Sequence, residues 1–149
     1  MLTQLVGFGS GSGGGTDATP DAIDFGNISD AGFTASAFTN VVAIGGIDTT
    51  ITLRLSLTVA MAAQRTVSVY RDGAFAVAAN SGTTVDVTVT NNQTLQYAFG
   101  NSQNLSTWSG TATVTNESDG GATLDTFTYT LQDTGAPVGV GVGVGGPIP

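Results

Sequence analysis

Among residue types that make and break bonds, this chain offers carboxylates and hydroxyls but no histidine and no cysteine. Its only cations are Arg54, Arg65 and Arg71. No Ser-His, Cys-His or lysine-centred nucleophile can be assembled from that set. Zinc sites of the Cys/His type, disulfides and redox thiols are excluded on the same ground. An acid-pair hydrolase stays open on composition, because the chain has 11 acidic residues. Such chemistry needs two carboxylates at a set separation with one pKa raised. No pair stands out, since the acids fall in expected turns and on outward faces.

Asp21, Asp24 and Asp30 lie close in sequence. Calcium wants about six to eight oxygens, and this spacing neither follows an EF-hand loop nor leads to a bidentate Glu. Turn-making and solubility account for them better. The run Gly9-Ser10-Gly11-Ser12-Gly13-Gly14 has glycine enough for a phosphate loop. It lacks the preceding strand, the following helix and the lysine, and reads as a linker. Asn27, Asn92, Asn104 and Asn116 each open an Asn-x-Ser/Thr triplet, read here as turn residues. The expectation is a chain with no catalytic residue, no metal and no cofactor.

Two features point to contacts instead. Trp108 is the lone tryptophan, downstream of Tyr97 and Phe99. It either offers an aromatic platform to a partner or sugar or packs the core, as one large aromatic often does in a β-sandwich. The stretch from Gly100 to Ser109 reads as the longest loop and a variable contact surface. The three arginines would pair with carboxylates, either of a neighbouring subunit or within an ordinary surface ion pair.

The elements that must position these residues are strands. Hydrophobic residues make up 40% of the chain and charged residues 9%, with 22 glycines. Threonine and valine abound and suit a pleated, half-buried surface. Ile51, Leu53, Leu55 and Leu57 alternate with Thr52, Arg54, Ser56 and Thr58, one face apolar and one polar. Val67 and Val69 alternate with Thr66, Ser68 and Tyr70. Asp72-Gly73 then supplies a hairpin turn, and Phe75 and Val77 continue on the return strand. Val85, Val87 and Val89, then Leu95, Tyr97 and Phe99, then Ala112 and Val114, then Phe127, Tyr129 and Leu131 repeat the pattern. Phe38 to Ile44 reads as a strand ended by Gly45-Gly46, and Ile23 to Phe25 as a shorter one. Seven or more closely spaced strands without a helix predict an all-β sandwich.

Three zones follow. Residues 1–19 are an N-terminal arm and Gly-rich linker, 20–133 a β-sandwich, and 134–149 a Gly/Val-rich tail. Met1 to Phe8 has no positively charged start, and its apolar run is too short for a signal peptide. No stretch approaches the ~18 apolar residues of a membrane span. With a net charge of −8, no nucleic-acid or membrane partner is expected.

Pro20-Asp21-Ala22-Ile23-Asp24-Phe25 resembles the opening of an immunoglobulin-like β-sandwich module of bacterial and phage proteins. The resemblance continues through Val42 to Ile47, Thr84 to Thr90, Ala112 to Thr115, Gly120-Gly121 and Asp125 to Thr130. The chain departs from it between Ala60 and Thr66 and between Gln93 and Thr107. The module has no catalytic residues and serves as a spacer or display unit. Short leader, linker, single sandwich and Gly/Val tail together are similar to a small accessory protein of a tailed-phage virion.

That resemblance implies a decoration or cement protein located on the virion, partnered by the major capsid protein, other virion proteins and copies of itself. Leu2, Leu5, Val6 and Phe8 would pack into a neighbour's groove. Val138, Val140, Val142, Val144 and Ile148 would lie in an extended strand added to a neighbour's sheet. Edge strands without lysine, a usual guard against edge pairing, fit ordered assembly. The alternative is a tail or fibre recognition module that touches a host-surface ligand.

Overall fold

The computed structural model describes residues 18–33, 36–61, 65–79, 83–101 and 107–133. The arm through residue 17 and the tail from 134 lie outside the described residues. Ten strands and no helix occur among them. These are β1 (Ile28–Phe33), β2 (Ser36–Phe38), β3 (Val42–Ile44), β4 (Thr52–Thr58), β5 (Arg65–Arg71), β6 (Ala74–Ala79), β7 (Thr84–Thr90), β8 (Gln93–Asn101), β9 (Trp108–Asn116) and β10 (Ala122–Asp133). They form two sheets. Sheet A runs β1-β10-β9-β4-β7, and sheet B runs β2-β8-β5-β6 with β3 also on β8. The expected all-β sandwich is the observed architecture.

Alternation places the core where the sequence puts its apolar residues. Leu53, Leu55 and Leu57 of β4, Val114 of β9 and Leu131 of β10 point inward from sheet A. Val67, Val69, Leu95, Tyr97 and Phe99 meet them from sheet B. Aromatic rings fill the centre: Phe25 meets Tyr97 edge-on at 5.0 Å, and Phe99 lies 5.1 Å from Tyr129 and 5.2 Å from Trp108. Such pairs add about 0.5–1.5 kcal/mol each beyond the area they bury.

Three strand expectations need correction. Ile23 to Phe25 is buried but is not a strand. Its backbone is satisfied by other means: the Phe25 N–H donates to Asp125 Oδ2 at 2.8 Å, and the Phe25 carbonyl accepts from the Asn40 N–H at 2.9 Å. The strand at this end of the fold is β1 instead, parallel to β10 with Ile28 opposite Tyr129.

The run from Phe38 to Ile44 is split into β2 and β3. At the break the Thr39 hydroxyl oxygen accepts the Tyr97 N–H at 3.0 Å, and Gln96 Nε2 donates to the Thr39 carbonyl at 3.0 Å. The Thr39 N–H still donates to the Tyr97 carbonyl at 3.0 Å, so side chains supplement the backbone bonding there.

The hairpin after β5 turns at Asp72 (φ 54°) and Gly73 (φ 79°), as a two-residue turn with both φ positive requires. The pairing then slips by one residue: Tyr70 faces Phe75, but Val69 faces Val77. Ala76 is the extra residue of a β-bulge. Strict alternation would put Phe75 and Val77 on one face; the bulge sends them to opposite faces.

Candidate functional site

The acids come first, because any hydrolytic or metal chemistry would need them. Asp24 Oδ1 accepts the Gly26 N–H at 2.9 Å, a local turn. Asp21 packs against Gly45 and Gly46, with its N–H bonded to the Gly45 carbonyl at 2.8 Å. Gly46 has φ +81° and its Cα faces that carboxylate, so a side chain there would be both strained and obstructed. Asp30 lies on β1 beside Leu131. Asp48 accepts both the backbone N–H and the hydroxyl of Thr50 at 2.8 Å, which hold its carboxyl below the usual range. Asp72 takes the Thr94 N–H at 2.9 Å and closes the β5–β6 turn onto β8. No group of three acids able to hold a metal occurs among the described residues. The carboxylates of Asp24, Asp48 and Asp72 thus hold turns.

The arginines divide. Arg54 pairs with Asp86 at 2.9 Å, both half-exposed, within the chain. Such a pair is worth little in water. Arg71 donates Nη1 to the Thr88 carbonyl at 2.7 Å and so crosses from sheet B to the edge of sheet A. Arg65 is no surface residue: it is buried, and its guanidinium lies 5.3 Å from the centre of the Trp108 ring. Arg54 thus makes the ordinary surface ion pair that the sequence allowed.

Trp108 itself is buried, 7% exposed, with Nε1 donating to the Ala60 carbonyl at 2.8 Å. Of the two readings its type allowed, the packed one is where the fold places it. In the stretch from Gly100 to Ser109, residues 102–106 lie outside the described residues. So do Leu2, Leu5, Val6 and Phe8 of the arm, Val138, Val140, Val142, Val144 and Ile148 of the tail, and Asn104. Asn116 is fully buried and bonds the Ala18 carbonyl at 2.9 Å. Asn27 accepts the Thr128 N–H at 2.9 Å, and Asn92 occupies a positive-φ turn position.

The surface features that stand out are ones the sequence reading passed over. The outward face of sheet A is hydroxylic. Thr126, Thr113, Thr58 and Thr84 stand in one register row across four strands. Sheet B is different. Every exposed large hydrophobic among the described residues belongs to it or to the link between its strands: Phe38, Val41 and Phe75, each more than half exposed. Tyr70 joins two of them, 6.4 Å from Phe38 and 6.2 Å from Phe75, the latter edge-on. The result is an aromatic ridge drawn from β2, β5 and β6 on one face of sheet B.

Scattered exposed apolar residues need no explanation; here Tyr70 links two of them on one face. The signal in the sequence was weak. β6 reads AFAVAA, with no polar residue to say which positions face water.

Beside the ridge, the open edges of β6 and β7 flank a cleft of about 310 Å³. It is lined by Ala76, Val77 and Val87 together with Thr88, Arg54, Arg71 and Asp86. The arrangement can bind an apolar or aromatic group or an extended backbone.

No protein-family model matches the chain, and no curated protein sequence matches it. Among solved structures it is similar to the N-terminal domain of PorA, at 13% identity and a TM-score of 0.41. The match covers 78% of this chain and 90% of that one. A likeness at this level carries no functional argument across.

Proposed function

We propose that this chain is a non-enzymatic structural protein of a phage-like virion. In this reading its sandwich decorates or cements the particle, and its tails clamp neighbouring subunits. The observation that carries the reading is the aromatic ridge of Phe38, Tyr70 and Phe75 beside an open apolar strand edge. Exposed apolar surface of this kind is costly to leave in water and is relieved by association.

Strand order supports the finer view of an immunoglobulin-like display module. β4-β9-β10 follow the C-F-G order of that fold, and β3-β8-β5 follow B-E-D. The chain departs from the seven-strand form in placing β6 and β7 between the strands equivalent to D and E. Repeated over many copies, weak contacts would add to a firm hold on a particle.

The test is a density gradient of the source lysate, with this chain quantified by mass spectrometry against the major capsid protein. Co-banding at a fixed ratio to capsid subunits is expected. A chain that stays wholly at the top of the gradient overturns the virion reading.

The aromatic ridge also favours a second reading, a tail or fibre module that stacks a host-surface sugar on Phe38, Tyr70 or Phe75. That reading predicts only a few copies per particle. It also predicts that the double variant F38S/F75S bands normally but adsorbs poorly.

A further inference from the structure

On one flank of the sandwich both sheets end, among the described residues, in an open strand, β7 for sheet A and β6 for sheet B. The two edges are treated differently. On β7, Arg71 occupies the Thr88 carbonyl and also reaches its hydroxyl at 3.3 Å, while Asp86 of the same strand carries a charge paired to Arg54. Charge and an occupied carbonyl blunt an edge against further pairing. At the opposite flank, sheet B ends in β2 and β3, two pieces of three residues each. β1, the other edge of sheet A, carries Asp30. Among the described residues, β6 alone is a six-residue edge with no charge, no proline and no polar side chain.

We propose that the β6 edge receives residues 138–144 of a neighbouring copy as an added strand. Its valines would seat in the cleft between β6 and β7, and its glycines would lie beside Phe75. This deepens the clamp reading above and rests on it.

The segment reads VGVGVGV, seven residues against the six of β6. An extended chain sends alternate residues to opposite faces, so its valines form one apolar side and its glycines a bare one. A strand added at β6 has the same two faces. One looks into the cleft, whose lining includes Ala76, Val77 and Val87. The other looks outward, where the Phe75 ring is 61% exposed and can cover the bare backbone of a paired glycine. Neither β6 nor the segment carries a charge, so two copies of a chain with net charge −8 meet here without setting like charges together.

Reach favours the neighbour over the chain's own edge. β10 lies three strand positions from β7, about 14 Å, and β6 is in the other sheet, about 10 Å away. Taken straight, that path is about 17 Å, which uses the whole span of five extended residues between Asp133 and Val138.

The experiment is amide hydrogen exchange of Ala74–Ala79 in the full-length chain, compared with the tail variant V140D/V142D. Those substitutions lie outside the described residues. The β6 amides are expected to exchange at least about tenfold more slowly in the unaltered chain, which sediments as an oligomer while the variant is a monomer. Equal exchange in the two chains overturns the proposal.

Mixing V140D/V142D, whose edge is intact, with A76K, whose tail is intact, should give a one-to-one complex. Two unmixed monomer populations overturn it. The clamp reading is separated by the gradient. If V140D/V142D leaves the particle while β6 exchange is unchanged, the tail clamps elsewhere and the β6 site is wrong. If β6 loses protection while particle binding persists, the β6 site stands and the clamp reading falls.

Discussion

Trp108 Nε1 donates a hydrogen bond to the Ala60 carbonyl across 2.8 Å, which ties the first residue of β9 to the chain just beyond β4. The same indole carries the Arg65 guanidinium on its face, 5.3 Å from the ring centre, and meets Tyr129 edge-on at 5.5 Å. One side chain thus closes the end of the sandwich where β4, β5, β9 and β10 meet. Trp108→Phe removes the donor and part of the ring. The expected cost is about 2–4 kcal/mol, read as a lower denaturant midpoint at unchanged slope.

Gly110 sits opposite Tyr129 in the β9–β10 ladder. A Cβ at Gly110 would lie 2.8 Å from Tyr129 Oη and 3.1 Å from its Cζ. Gly110→Ala is therefore expected to destabilise by about 1–3 kcal/mol through overpacking. Tyr129→Phe removes the closest atom, so G110A/Y129F should recover part of the loss. A double-mutant cycle by chemical denaturation measures that coupling.

The Tyr97 hydroxyl is buried in the core and finds no hydrogen-bond partner among the described residues. An unpaired buried hydroxyl carries its desolvation cost uncompensated. Tyr97→Phe keeps the ring contact with Phe25 and is expected to be neutral or stabilising by up to about 1 kcal/mol. A fall in melting temperature would show that the hydroxyl is bonded in solution.

Burial pushes the phenols of both Tyr97 and Tyr129 above their usual pKa; the charge of Asp86 raises Tyr97 further, and hydrogen bonds at Trp108 and Ala60 partly offset the rise at Tyr129. Near pH 10 the unfolded chain ionises these groups while the folded chain keeps them protonated. The unfolded state then binds fewer protons, so stability falls as pH rises past about 10. With no histidine, cysteine or lysine side chain, stability should be nearly flat between about pH 6 and 9. Denaturation midpoints across that range, with phenolate absorbance followed above it, test both halves. Phenolate from Tyr97 and Tyr129 should appear together with unfolding.

Much of the architecture was legible because alternation is a local property. Leu53, Leu55 and Leu57 face inward for the same reason that Thr52, Arg54 and Thr58 face out, and neither fact depends on what the strand pairs with. Asp72-Gly73 announced its turn through residues that accept positive φ. The acids, too, were legible as turn formers, since Asp24 and Asp48 bond a backbone N–H two residues away.

What escaped the sequence was set by partners distant along the chain. β1 has no alternating apolar signature and exists because β10 offers it a parallel edge. Ile23 to Phe25 alternates like a strand, yet its backbone is bonded by Asp125 from 100 residues away. Phe75 and Val77 follow one pattern in sequence, and a single bulged residue at Ala76 turns one outward beside Tyr70 and leaves the other inward. By itself the sequence determined an all-β chain with an inward apolar face and no histidine, cysteine or lysine chemistry. Only the tertiary structure decided which apolar residues remain in water, because exposure depends on register and strand order, and those are fixed by contacts that no local pattern records.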